Sequence, residues 1–292
     1  MSIYTKKVDE LPSPWRDDLT IVSDVTSLHA RIAREFGDLL SAKASAGEIL
    51  TMIAPVGPLD YSRFAREISE RHLDARYLRV VNMDEYLTDD GRWIEYDHPL
   101  SFRRFMDETF YNLLPFDNTV PEDQRIFPDP ADPSGITELL DGIGGADVCW
   151  AGFGITGHLA FNDPPEMLGE ATDLDEFRNC PTRHVVVSPM ATAQMAMGGT
   201  DGVLDIIPRR AITIGMRELL AVRRFHLTFM RSWHAGLWRR ALLGTVSSSF
   251  PGSLIQLHSN VGITMTAQAA AVPRTNTSQE TGEQAPGTGT SV

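Results

Sequence analysis

Along residues 20 to 265, short apolar runs alternate with amphipathic stretches of helical spacing, and that alternation limits the chain to a small set of folds. Val25 to Ala44 sets Leu28, Ile32, Phe36 and Leu40 at helical intervals. Glu48 to Pro55 is an apolar run of strand length, and Pro58 then opens a second helical stripe through Tyr61, Phe64, Ile68 and Leu73. Tyr77 to Met83 reads as another strand. Ser101 to Leu114 reads as a helix with Phe102, Phe105, Phe110 and Leu113 on its apolar side, and Ile136 to Ile143 as a short helix stopped by Gly144 and Gly145. Asp147 to Phe153 is a third strand, running straight into glycines. Ala211 to Met216 and Phe225 to Met230 make two more, Ser232 to Leu243 is helical, and Leu254 to Leu257 is read as a last strand.

Strands alternating with helices at this spacing predict βαβ units: an α/β fold with a mainly parallel, doubly wound (Rossmann-like) sheet and helices on both faces. Such sheets bind ligands beyond the carboxyl ends of their strands, which here means just after Pro55, Met83, Phe153, Met216 and Met230. Neither a repeat nor a linker divides residues 20–265, so one domain is expected there, preceded by an N-terminal extension (1–19) and followed by a disordered low-complexity tail (266–292). Within the tail, Pro273 to Val292 carries too little apolar surface to offset its ordering entropy and is expected to be disordered.

Composition narrows the function. With 42% hydrophobic positions over 292 residues the chain can bury a full-sized core. A formal net charge of −13 repels nucleic-acid phosphates and anionic membrane surfaces, so neither is expected as a partner. Lys6, Lys7 and Lys43 are the only lysines, which excludes a Schiff-base lysine from the body of the chain and with it pyridoxal-phosphate and lysine-aldolase chemistry. Cys149 and Cys180 lack CxxC partners and are read as two buried thiols rather than a zinc or redox site. Met1 to Arg16 has no apolar signal core, and no apolar run approaches the ~20 residues of a membrane helix, so a soluble, cytoplasmic protein is expected.

Two strand ends carry groups capable of chemistry. Asn82-Met83-Asp84-Glu85-Tyr86 places adjacent acids after a strand; in extended geometry one faces the crevice as a base toward a C–H bond while the other faces away, and the plainer alternative is that the acids cap the next helix. Gly152 to Pro165 contains Gly152, Gly154 and Gly157, whose backbone can approach a ligand closely, then His158 and, five positions on, Asp163. A histidine with a nearby carboxylate is a common acid–base pair, although a histidine merely satisfied by its loop fits the same residues. The glycine spacing is neither GxGxxG nor a P-loop, so no nucleotide cofactor is expected. The spacing of Asp84, His158 and Asp163 matches no metal-binding pattern, so no metal is expected either.

Taken together, NMDEY after a strand, HPxSF at His98 to Phe102, GxxGHxAFNxP at Gly154 to Pro164 and the strand Ala211 to Met216 strongly resemble the glucosamine-6-phosphate deaminase (isomerase) family over roughly residues 48 to 260. The 6-phosphogluconolactonases share that fold but lack the NMDEY and AFN segments. The resemblance implies conversion of an amino-sugar phosphate to a ketose phosphate and ammonia without a cofactor, as in N-acetylglucosamine catabolism, by a homo-oligomer. It implies that Asp84 shuttles a proton between C2 and C1, that His158 opens the ring, and that Asp163 assists His158 where the family usually has a glutamate. Substrate contacts are expected from Gly57, Gly154, Thr156 and Gly157; Arg231 and His234, at a strand-to-helix junction where helix amides assist an anion, are read as a rebuilt phosphate site, the plainer alternative being a solvated Arg231 beside core Trp233, Leu237 and Trp238.

Several positions depart from the family pattern. Thr156 replaces an acid two positions before the histidine, the phosphate loop is Ala54-Pro55-Val56-Gly57-Pro58 without hydroxyls, and His234 stands where a lysine is usual. Arg183 falls near an allosteric position of some members but has no basic neighbour among Val185 and Val186, so allostery is not predicted. Two alternatives stay open: a sugar-phosphate-binding sensor without turnover, and lactone hydrolysis with His158 activating water.

Overall fold

The computed structural model describes residues 2–169 and 173–274. Its main sheet has seven strands: β1 (Leu19–Val22), β2 (Leu50–Ala54), β3 (Leu78–Asn82), β5 (Arg125–Ile126), β6 (Val148–Ala151), β9 (Phe225–Phe229) and β10 (Val261–Thr266). They lie in the order β1-β10-β9-β6-β2-β3-β5 with every neighbouring pair parallel. The mainly parallel, doubly wound sheet expected from the alternation is therefore present.

Because helices cover both faces, its central strands are buried throughout rather than alternating buried with exposed residues. All five residues of β2 are buried. Met52 and Ala54 face one core with Leu28, Ile32, Phe36 and Leu40 of α1 (Val25–Ser45) and Phe64 and Ile68 of α2 (Tyr61–Glu70). Ile53 faces the other core, with Leu140 of α4 (Ser134–Ile143), Leu219 of α7 (Met216–Leu220) and Trp238 of α8 (His234–Leu243). On the first face Phe36 stacks on Phe64 at 4.3 Å, and Trp150 of β6 meets both rings edge-on. Each such buried ring contributes roughly 2–3 kcal/mol by transfer from water.

The chain leaves β2 for β3 and β5 on one side and returns to β6 on the other, so the switch point lies between β2 and β6. The loops after these strands meet there: a Cβ on Gly152 would touch the Pro58 side chain at 3.4 Å. Pro58 does not open α2, however. The helix begins at Tyr61 after Asp60, and the segment between β2 and α2 holds Gly57 at φ +115°.

A second sheet was not anticipated. β4 (Asp84–Leu87), β8 (Arg210–Thr213) and β7 (Arg183–Val186) pair antiparallel in the order β4-β8-β7. The run beginning at Ala211 thus joins this smaller sheet and stops at Thr213. Tyr86, Ala211, Phe161 and Phe102 of α3 (Phe102–Thr109) build a third apolar cluster beneath it. Two further helices, α5 (Leu174–Arg178) and α6 (Pro189–Gly199), flank β7 in the chain.

The carboxyl-terminal reading needs correction. Pro251 to Leu257 is a 3₁₀ helix, opened by proline and glycine, and the strand follows it as β10. α9 (Ala267–Ala270), capped by Thr266 and with Ala269 buried, occupies the start of the segment expected as tail; the rest, 275–292, lies outside the described residues. The expected N-terminal extension buries Leu11 and Trp15. Arg239 holds both segments. Its buried guanidinium donates to the carbonyls of Lys6, Ala270 and Ala271 and lies 4.0 Å over the Trp238 ring. Both cysteines are free, Cys149 buried and Cys180 partly exposed. Among the described residues no helix is long and apolar enough to cross a membrane.

Candidate active site

The NMDEY segment bends between two sheets. Met83 ends the parallel run, donating its N–H to Ala54 and accepting from Ile214, and Asp84 starts β4 opposite Thr213. The adjacent acids do face opposite ways, but Glu85 does not reach solvent. It is fully buried, accepts from the N–H groups of Phe102 and Arg103 at the start of α3, and pairs with the Arg103 guanidinium at 3.1 Å. The helix-capping alternative is thus the structure's answer for Glu85, where the amino end of α3 favours a negative charge.

Asp84 faces the crevice. Its Oδ1 accepts from the hydroxyl of Thr213, which in turn accepts from the Phe161 N–H at 3.0 Å. Burial pushes the Asp84 carboxyl up to about 7, against the Thr213 hydroxyl, the Phe161 N–H and the charge of His158, with Glu85 adding to the rise. A carboxylate balanced between protonated and ionised near neutral pH suits a group that takes a proton from carbon and returns it to a neighbouring carbon.

The glycine-rich loop after β6 closes on itself around His158. Gly157 N–H donates to Gly154 and Gly154 N–H to His158, with Gly157 at φ +82° and the Phe250 ring packed where its side chain would be. The imidazole lies directly over Gly154, whose Cβ, if present, would come 1.8 Å from Nε2. Nδ1 of His158 sits 2.9 Å from Asp163 Oδ1 and 2.9 Å from the Thr156 hydroxyl, while that hydroxyl donates to Asp163 Oδ1 at 2.7 Å. Because the hydroxyl proton is committed to Asp163, the network assigns the ring proton to Nδ1 and leaves Nε2 to exchange a proton with a ligand. The one-methylene-shorter aspartate therefore still reaches the ring. Burial raises the Asp163 carboxyl, but the His158 hydrogen bond and charge, Thr156 and Ser188 outweigh it, and its pKa lies below the ordinary value.

Between His158 and Asp163 the loop adopts a backbone that few side chains tolerate. Ala160 has φ +52°, a left-handed conformation costing roughly 1–2 kcal/mol. It is held by Asn162, whose amide donates to Leu159 and Ile214 and accepts from Arg183 at 2.7 Å. Gln194 of α6 accepts from the Ile155 N–H at 2.7 Å.

The expected site residues thus divide. Asp84, His158 and Asp163 lie beyond the carboxyl ends of β3 and β6, with Gly154 and Gly157 shaping the His158 loop and Gly57 on the loop after β2. Thr156, expected to touch substrate, is instead buried and committed to His158 and Asp163. His234, expected as a phosphate ligand, is also buried: its Nδ1 accepts from the N–H groups of Met230 and Arg231, so the ring clamps the turn after β9. Burial, with the neighbouring Arg231 charge, lowers it to about 4, so it carries no positive charge at neutral pH. Arg231 itself is exposed on that turn. Thr213, Asn162 and Gln194 escaped the sequence reading; a threonine inside the apolar run Ala211 to Met216 was the available signal for the first of them. Among the described residues no three His, Cys, Asp or Glu side chains are grouped to hold a metal ion.

No protein-family model matches the chain. Its curated relatives include glucosamine-6-phosphate deaminases. That of Halothermothrix orenii is 28% identical over 227 residues, spanning 77% of this chain and 86% of the relative. Glucosamine-6-phosphate deaminase 1 of Bacillus subtilis is 26% identical over 215 residues, spanning 73% and 81%. Among solved structures, a monomeric glucosamine-6-phosphate deaminase of the NagB superfamily superposes with a TM-score of 0.73 at 22% identity, covering 87% of this chain and 98% of its own. A 6-phosphogluconolactonase from Plasmodium vivax superposes at 0.62 with 14% identity, covering 91% and 96%. Both likenesses are of fold.

Proposed function

We propose that this chain, a divergent relative of the glucosamine-6-phosphate deaminases, converts a glucosamine-6-phosphate-like amino sugar and water to the ketose phosphate and ammonia. The observation that carries the reading is a buried carboxylate, raised to about 7, that stands close enough to His158 to feel its charge, beside a histidine whose Nδ1 is held by Asp163. Nε2 of His158 moves a proton between the ring oxygen and O1, and Asp163 stabilises the imidazolium that forms. In the open chain the C1 carbonyl acidifies C2–H. Asp84 removes that proton and returns it to C1 while a proton passes from the C2 amino group to O1, leaving a C=N bond at C2 that water attacks with loss of ammonia.

Gly57, with open space where a side chain would stand, admits the sugar close to the backbone, whereas Gly154 and Gly157 make room for His158 and Phe250; Arg231 takes the phosphate as a guanidinium. His234 acts only by holding the Arg231 turn. The −13 surface makes this local arginine important, since an anion must enter against the overall field. The reading includes a cytoplasmic homo-oligomer, an assembly that sedimentation tests against the monomeric state of one fold neighbour. The decisive experiment gives purified protein glucosamine 6-phosphate and close analogues and follows ammonia and ketose. Release of neither refutes the reading; sugar-phosphate binding by calorimetry without turnover would favour a sensor, and opening of a phosphogluconolactone would favour a hydrolase.

A further inference from the structure

Asp84 starts a strand, His158 sits on a loop, and the two belong to different parts of the chain; what sets them against each other is β8. Thr213 stands opposite Asp84 in the β4–β8 register and is fully buried. Its oxygen accepts the Phe161 N–H at 3.0 Å, so its single proton is directed to Asp84 Oδ1; the alternative acceptor, Ile214 O, is 3.4 Å away. One residue on, Ile214 O accepts from Asn162, so the His158 loop is stitched to β8 at consecutive positions. A β-branched side chain has few rotamers to exchange, and no water competes for it at this depth.

We infer that Thr213 is the positioning residue of the general base: its hydroxyl fixes Asp84 for proton transfer and ties it to the strand that carries the His158 loop. The role rests on the reading of Asp84 as the C2–C1 proton shuttle. The ionisable groups around Asp84 are fixed as well. Glu85 is committed to Arg103 and the α3 amides, Tyr86 lies on the same strand, His158 faces it from the loop, and Arg183 on β7 directs its guanidinium to Asn162. Beside the Phe161 N–H and the charge of His158, Thr213 is therefore the side-chain hydrogen bond that favours the ionised carboxylate against its burial.

The test compares wild type with Thr213→Val, Thr213→Ala and Thr213→Ser in two measurements: the pH profile of kcat/KM for ammonia release, and a ¹³C-carboxyl NMR titration of Asp84. Removing the hydroxyl moves both the acidic limb and the carboxyl titration upward by about 1–2 pH units, a roughly 5- to 50-fold loss at pH 7. Serine, which keeps the hydroxyl, holds both close to wild type. A limb and titration unmoved in both Thr213→Val and Thr213→Ala, or moved as far by serine, overturns the inference. The titration needs no turnover, so a wild type that releases no ammonia refutes the proposed reaction and still leaves Thr213 to be decided.

Discussion

Alanine at Gly154 would put a Cβ 1.8 Å from Nε2, 2.1 Å from Cε1 and 2.4 Å from Cδ2 of His158. Gly154 lies outside the left-handed region, so the backbone accepts alanine and the whole effect falls on the ring. Relief to ordinary contact at about 3.5 Å requires the imidazole to move by roughly 1.5–2 Å. A hydrogen bond does not survive such a shift, so the 2.9 Å contact of Nδ1 with Asp163 is lost and the ring swings toward solvent. Loss of a positioned acid–base group costs about 10²- to 10⁴-fold in rate, and loss of a charge-assisted hydrogen bond destabilises the fold by about 1.5–3 kcal/mol. Coupled ammonia assays and thermal melts measure the two. An open-chain analogue, which needs no ring opening, should lose much less than the cyclic sugar. Gly142→Ala, in α4 with nothing within 4 Å, serves as the control and should leave activity alone while stabilising by up to about 1 kcal/mol. A Gly154→Ala enzyme within about threefold of wild type would falsify this placement of His158, since a ring that tolerates the methyl cannot depend on its present seat.

Two further outcomes follow from buried ionisable groups. Asp84→Asn should abolish C2–H exchange while sugar binding by calorimetry persists. Because burial raises the Asp84 pKa, its contribution to stability is present below the ordinary 3.8 and is lost as pH rises toward 7, so the variant should gain as much as about 4 kcal/mol over wild type at pH 8 and little at pH 4; equal melting at both pH values would count against the burial. His234 has the opposite sign: lowered to about 4 from 6.5, it makes the fold lose about 3 kcal/mol as pH falls through that window. His234→Gln, whose carbonyl can still accept the two amides, should flatten that slope in denaturant melts, and a slope that stays would show that His234 is not its source.

The main sheet was legible because a strand covered on both faces is a continuous apolar run, as at Glu48 to Pro55 and Tyr77 to Met83. The second sheet was not, since Ala211 to Thr213 has the same character whichever sheet it joins, and antiparallel pairing with β4 leaves no local mark. β10 escaped because Gly262 and two threonines, Thr264 and Thr266, dilute an entirely buried strand, while Leu254 to Leu257 looked more apolar and is held by Pro251 in a 3₁₀ turn. Asp84, His158 and Asp163 could be named from residue type and the family resemblance. Their partners could not, because Thr213 meets Asp84 only through sheet register. The neutrality of His234 depends on its burial and on the Arg231 charge beside it, and its clamp on two backbone amides follows from the turn, none of which residue type reveals.

The position of β10 sets the order in which the protein can be assembled. It lies between β1 and β9, with Ile263 opposite Leu19 on one side and Leu227 on the other. On the ribosome, β6, β2, β3 and β5 can already be joined while β1 has no neighbour and β9 offers a bare edge of backbone donors and acceptors beside Phe225, Leu227 and Phe229. Such an edge invites pairing with another unfinished chain until it is filled. Closing it joins residues from opposite ends of the polypeptide, a slow kind of contact. The crevice with its carboxylate and histidine can therefore be largely in place before the protein is safe from its own neighbours, and arrival of residues 261–266 is what ends that exposure.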